Sequence, residues 1–223
     1  MKIAIYSAGH EPSVPGAVVK GIREYFINKR FVDARVNGLV VPTFESDAQT
    51  SSLRKKIDWV NEHCTKDNVA IEIHQNTSLY PSKNGVEVYY YDEGDKELAL
   101  KIDRAIANRL LLKVGATKKV NRDNNSLLGC YNSFGSIVSD DRSNLGFLGW
   151  VRLINCPSVI VECGYLTNEK DRERLLDPNT PRMIMEAINM AINGEDVFTL
   201  KQKLADALSQ LVGLLKALIQ LKK

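Results

Sequence analysis

Several features that would each announce a class of protein are scarce in this sequence. Its four cysteines, Cys64, Cys130, Cys156 and Cys163, form no CxxC pair, and four in 223 residues fall below the density of a secreted disulfide scaffold. Reduced thiols made in a cytosolic compartment are the expectation, with pairing of two left open. No apolar run is long enough to span a bilayer, and the N-terminus enters a strand pattern at Lys2 without a basic region, an apolar stretch or a small-residue cleavage site. As written, the chain is therefore read as carrying no export signal. Charge of one sign is scarce too: 30 Lys and Arg stand against 27 Asp and Glu. The small excess lies in the last 25 residues, where Lys201, Lys203, Lys216, Lys222 and Lys223 face only Asp206. The rest is close to neutral, which argues against nucleic acid as a partner, because phosphate binding needs a basic footprint on the folded domain. No internal repeat is present. A composition of 44% hydrophobic and 26% charged residues is that of a folded globular chain, and the length suits one substantial core rather than two.

What is present is an alternation of strand and helix signals. Lys2–Ser7 alternates and is rich in β-formers, Gly9 breaks the run, and the apolar spacing over 18–30 becomes helical. A second strand is expected over 35–41, closed by Pro42, and a helix over 51–64 with Ile57 and Val60 inward. Strands follow at 69–75 and 85–91. The best helix of the body is expected over 95–113, with apolar residues at Leu98, Ile102, Ile106 and Leu110. Residues 115–149 are rich in Asn, Ser, Asp and Gly and read as a long surface segment. A buried strand at 158–162, a loop over 163–169 and a helix over 181–192 complete the body. The expected fold is α/β, a twisted, mostly parallel central sheet with helices on both faces.

Only three histidines occur, and two of them end predicted strands: His10 after the first and His74 after IEIH. Glu162 ends a third. In an open α/β sheet the carboxyl ends of the strands are where loops converge on a site. A histidine taken singly is more often a hydrogen-bonded structural group than a metal ligand, and an acidic residue such as Glu24 on an amphipathic helix is usually solvated, so spacing leaves both readings open. Hydrolysis of an amide at neutral pH requires an activated water and a stabilised oxyanion, which a metal ion with three protein ligands and one open position supplies.

The segments AGH (8–10), PGAVVKGIRE (15–24), IEIHQN (71–76), GVEVYYY (85–91) and PSVIVECGYLTNEKD (157–171) resemble, in order and spacing, the zinc-dependent N-acetylmuramoyl-L-alanine amidases. The resemblance covers roughly residues 2–192. It implies Zn2+ held by His10, Glu24 and His74, with Glu162 as the catalytic carboxylate. It implies a peptidoglycan substrate cut between N-acetylmuramic acid and L-alanine, water being activated by zinc and Glu162 moving the proton. Glu11 and Pro12 replace the family's usual glycines after the first histidine. Glu72 stands where many members have a small residue, as it does in the similar endolysin amidases of phages that infect Gram-positive bacteria. Glu72 either orients a metal ligand or is a partly buried, salt-bridged carboxylate. Cys163 adjoins Glu162, but strand alternation turns it to the opposite face, which makes it structural rather than a nucleophile. Asn76, Asn124, Asn125, Arg142 and Asn168 offer hydrogen bonds to glycan or peptide, and none is singled out from ordinary loop residues.

Gly194, Glu195 and Asp196 separate this catalytic domain, residues 1–194, from a leucine-rich tail, residues 195–223. On a heptad, Val197, Leu204, Leu211 and Leu218 fill one column and Leu200, Ala207, Leu214 and Leu221 the next, a seam for a C-terminal helix. Self-association into a homo-oligomer, docking on the body, and contact of the lysine-rich helix with an anionic membrane surface compete, and self-association is favoured for the regularity of the seam. The expected role is that of an endolysin, made in the cytoplasm and acting on the cell wall after release. The rivals are a zinc carboxypeptidase-like peptidase, a non-catalytic wall-binding protein that keeps the fold, and a membrane-active tail carried by the domain.

Overall fold

The computed structural model describes residues 2–110, 116–119 (backbone only), 148–194 and Leu208. Its centre is a six-stranded sheet in the order β4-β1-β5-β8-β6-β7. The strands are β1 (Ile3–Ala8), β4 (Leu39–Val40), β5 (Asn68–Asn76), β6 (Glu87–Tyr90), β7 (Ala116–Lys119) and β8 (Ser158–Tyr165). Neighbours from β4 to β8 run parallel, β6 is antiparallel to β8, and β7 is parallel to β6. The sheet is thus mixed and mostly parallel, as expected.

Helices cover both faces. On one lie α1 (Glu24–Asp33), α3 (Lys96–Leu110), α5 (Glu169–Leu176) and α6 (Thr180–Ile192), whose Ile27, Phe31, Ile102, Ile106, Leu175, Ile184 and Ile188 pack on Tyr6, Ile71, Ile73, Val88, Val159 and Val161. On the other, α2 (Ser52–His63) and α4 (Gly149–Leu153) bring Ile57, Val60 and Trp150 against Ile5, Ala70, Tyr89 and Ile160. The strands buried on both faces read as continuous apolar runs for this reason. Towards their ends the face under α2 turns polar, and the site is built there. Among the described residues no helix is long and apolar enough to cross a membrane.

The helix expected over 18–30 begins only at Glu24. Before it runs a two-stranded hairpin, β2 (Val18–Val19) with β3 (Ile22–Arg23), paired Val18 to Arg23 and Val19 to Ile22. Lys20 and Gly21 have φ of 51° and 80°, so a two-residue turn with both central residues left-handed closes it. Val18, Val19 and Ile22 satisfy helical spacing, but β-branched residues flanking a Lys-Gly turn favour the hairpin, and a glycine within a helix is costly. Only Leu39 and Val40 of the strand expected over 35–41 pair with β1. Helix α5 lies beyond the expected elements. Its cap was visible as Asn168 three residues before Asp171, and the Asn168 side chain accepts the Asp171 N–H at 3.1 Å. The tail lies outside the described residues except for Leu208, which is helical and half exposed.

Candidate metal centre

At the end of β1 the chain passes through Gly9, whose N–H donates to Ile73 O at 2.9 Å, into His10, which adopts φ 67°. On the neighbouring strand His74 sits near the end of β5. Between the two imidazoles lies the carboxylate of Glu24, first residue of α1. Its Oε2 is 3.0 Å from His10 Nε2 and its Oε1 is 3.0 Å from His74 Nδ1. The hairpin is what places Glu24 here, since it ends the extended chain at Arg23 and starts the helix against the strand ends. The ligand atoms of His10, Glu24 and His74 all lie within 4.8 Å of one another.

Two glycines make the approach of these rings feasible. A Cβ on Gly9 would fall 2.2 Å from His74 Nε2, and one on Gly16, where φ is 72°, would fall 2.3 Å from His10 Cδ2 and 2.6 Å from Glu24 Oε2. Glu24 is further fixed by the N–H groups of Ala17 and Gln75, at 3.0 and 3.1 Å, and by Asn28, whose amide also donates to Gly9 O. Burial opposes its ionisation, but the facing His10 and His74 outweigh burial and hold the carboxyl well below the usual range. A buried carboxylate clamped as an anion between two imidazoles fits a divalent cation. Two histidines and one glutamate are a donor set of catalytic zinc sites. His10 remains one-third exposed, so the cluster is reachable from solvent.

Glu162 lies on β8 in register with His74 on one side and with Glu87 of β6 on the other. His74, Glu162 and Glu87 thus form one row across the sheet, on the face covered by α2 and α4. Glu162 is buried. Cys163 points to the opposite face and packs in the core with Val161 and Leu166, where burial, reinforced by the Glu162 charge, pushes its thiol far above the ordinary value. The structural reading of Cys163 is therefore correct.

Glu72 shares the face of His74. Its Oε2 is 3.3 Å from His74 Nε2, and its Oε1 accepts from Ser7 Oγ at 3.2 Å and lies 3.8 Å from Lys56 Nζ. Burial disfavours the charged imidazole of His74, and the two flanking carboxylates, Glu24 and Glu72, reverse that and raise it. Glu11, which replaces a family glycine, is buried and accepts from Ser46 N and Oγ at 2.9 and 3.0 Å, anchoring the loop before α2.

Of the polar residues noted in the sequence, Asn76 is buried and donates to Glu87 Oε2 at 3.1 Å, while Asn168 caps α5 and donates to Pro81 O at 2.7 Å. Both have structural duties. Asn124, Asn125 and Arg142 lie outside the described residues. Sequence reading passed over Lys56 and Glu87. Glu87 occupies the inward phase of GVEVYYY with Tyr89, whose hydroxyl donates to it at 2.6 Å, so alternation carried the signal.

Solved structures share this fold. N-acetylmuramoyl-L-alanine amidase from Clostridium difficile superposes with a TM-score of 0.64 at 18% identity, covering 86% of this chain and 96% of that one. The catalytic domain of CwlV, an N-acetylmuramoyl-L-alanine amidase from Bacillus (Paenibacillus) polymyxa, gives 0.63 at 19%, covering 87% and 97%. The catalytic domain of an endolysin targeting Clostridia difficile gives 0.61 at 18%, covering 88% and 99%. No curated protein sequence matches. A family model, that of N-acetylmuramoyl-L-alanine amidase, matches residues 5–194, the whole body with every residue of the cluster and its row, and the chain belongs to that family.

Proposed function

We propose that this chain hydrolyses the amide bond between N-acetylmuramic acid and L-alanine in peptidoglycan, with a zinc ion held by His10, Glu24 and His74 and with Glu162 as the catalytic carboxylate. The observation that carries the reading is the register of β5 and β8, which sets Glu162 beside His74 on the same face, next to a three-ligand cluster. Zinc, when bound there, acidifies a water and polarises the scissile carbonyl. His10, Glu24 and His74 would hold it, with the Glu24 carboxylate fixed by the N–H groups of Ala17 and Gln75 and the turn at Gly9 held by Asn28. Glu162 accepts the proton of the attacking water and returns it to the leaving amine of L-alanine. Cys163, on the far face, takes no part.

The test is product analysis on purified peptidoglycan. Wild type releases stem peptides with free L-alanine amino termini, and Glu162→Ala lowers the rate by at least about 100-fold, the scale of a lost general base. A product in which the lactyl–alanine bond survives while the stem peptide is shortened would instead favour the carboxypeptidase-like reading. Binding without cleavage would favour the wall-binding one.

An endolysin role follows from the same reading and is supported by likeness to an endolysin catalytic domain. The substrate then lies in the cell wall, and the purified protein is expected to clear suspensions of susceptible walls applied from outside. For the tail over 195–223 the heptad seam supports a helix through which copies self-associate.

A further inference from the structure

One buried lysine touches the supports of both metal histidines. Lys56 of α2 is 4% exposed, and its Nζ donates to Ala8 O at 2.5 Å and to His10 O at 2.6 Å. These carbonyls flank Gly9, so the ammonium clamps the left-handed turn that delivers His10. The same Nζ lies 3.8 Å from Glu72 Oε1, and the other oxygen of that carboxylate is 3.3 Å from His74 Nε2. His74 Nδ1 faces the Glu24 carboxylate and would be the nitrogen offered to a metal there, while Nε2 faces Glu72. A carboxylate on the outer nitrogen of a metal-bound histidine fixes both tautomer and ring orientation.

We propose that Lys56 and Glu72 act as one positioning unit for the zinc centre: Glu72 fixes His74 with the proton on Nε2 and the lone pair on Nδ1, while Lys56 holds Glu72 and the backbone of His10. Three observations carry this. Glu72 is buried and on the same strand face as His74, two residues away. Ser7 of β1, in register with Glu72, donates its hydroxyl to it, so the carboxylate is aimed rather than solvated. The ammonium is desolvated yet meets two carbonyls and a carboxylate, an arrangement whose cost is offset only when all partners are present.

The inference rests on the zinc reading above, and its test separates the two. Zinc affinity of the full chain, stripped of metal, is measured by competition with a chromophoric chelator, and the visible spectrum is recorded with cobalt(II) in place of zinc. Wild type binds one zinc. Glu72→Gln, which keeps the shape and the Ser7 contact, binds about 10- to 100-fold more weakly, with an altered cobalt spectrum. Lys56→Met shows a similar loss, and the double variant is no worse than about the weaker single one, because the two act together. Ser7→Ala, a smaller change, weakens zinc about fivefold through the lost hydrogen bond. A merely structural role would lower the melting temperature without moving the cobalt spectrum. If wild type binds zinc and Glu72→Gln and Ser7→Ala both match it in affinity and spectrum, the positioning unit is refuted while the zinc reading stands. If wild type binds no zinc, both fall.

Discussion

Gly9 and Gly16 show how narrow the tolerance of the cluster is at the scale of single residues. Gly9→Ala places a methyl 2.2 Å from imidazole atoms of His74, and since the neighbouring backbone is pinned by Ile73 O the ring must turn. The expected outcome is a folded protein that has lost its bound zinc, read by metal analysis alongside circular dichroism; full zinc occupancy in Gly9→Ala would contradict the placement of the rings. Cys163 makes the opposite prediction. Its buried thiol, raised by burial, resists iodoacetamide at neutral pH in the folded chain, and Cys163→Ala keeps amidase activity within a few-fold. A loss comparable to that of Glu162→Ala would reinstate the thiol as a nucleophile. His10 and His74 stood out because histidine is rare here and both lie close to strand ends, but their reading as ligands came from family resemblance. Glu24 was not legible from periodicity, where it passes for a solvated helix residue, and came through family resemblance. Lys56 stands at the inward phase of α2, four residues from both Ser52 and Val60, yet a lysine beside Lys55 reads as surface until its partners on β1 and β5 are known.

Among the elements, the hairpin over 18–23 and the cap of α5 carry most of what the sequence reading missed. Apolar residues at 18, 19 and 22 fit a helix as well as a hairpin, and only the left-handed turn at Lys20 and Gly21 decides between them. That turn fixes where α1 begins and hence where Glu24 points. In α5, Asp171 is buried and accepts from Gly85 N at 2.8 Å, Tyr165 N at 3.0 Å and Arg174 Nη1 at 2.7 Å. It joins the end of β8 to the approach to β6, the two strands that bring Glu162 and Glu87 into register. Asp171→Ala leaves two buried N–H groups without their acceptor and is expected to cost about 3 kcal/mol in urea unfolding. A change below about 0.5 kcal/mol would mean that water replaces the carboxylate at no cost. The long strands β5 and β8 and helices α2, α3 and α6 were legible because their apolar periodicity is strong; the two-residue strand β4 was overextended because its pairing depends on β1 rather than on its own residues.

Across the whole molecule, the parallel strands β1, β5 and β8 lie side by side with Ala8, Ile73 and Val161 level, and that register gathers His10, His74 and Glu162 from positions far apart in the chain. The α/β class followed from alternating elements, whereas the reversal at β6 and β7 did not, since strand direction is set by connections that composition does not reveal. The tail belongs to this scale as well. Truncation after Gly194 is expected to lower the molar mass seen by light scattering while leaving cleavage of soluble muropeptide within about twofold, because the ligand cluster and Glu162 all lie within residues 1–194; an unchanged mass would remove self-association. The central claim is metal-dependent amide hydrolysis with Glu162 moving the proton, and one comparison tests it most directly: release of L-alanine amino termini from peptidoglycan by wild type, by wild type stripped with chelator and then given zinc, and by Glu162→Ala with its zinc content verified. The account predicts activity that disappears on stripping, returns with zinc, and is absent from the zinc-loaded variant. Undiminished cleavage by zinc-loaded Glu162→Ala, or by the stripped wild type, would contradict it.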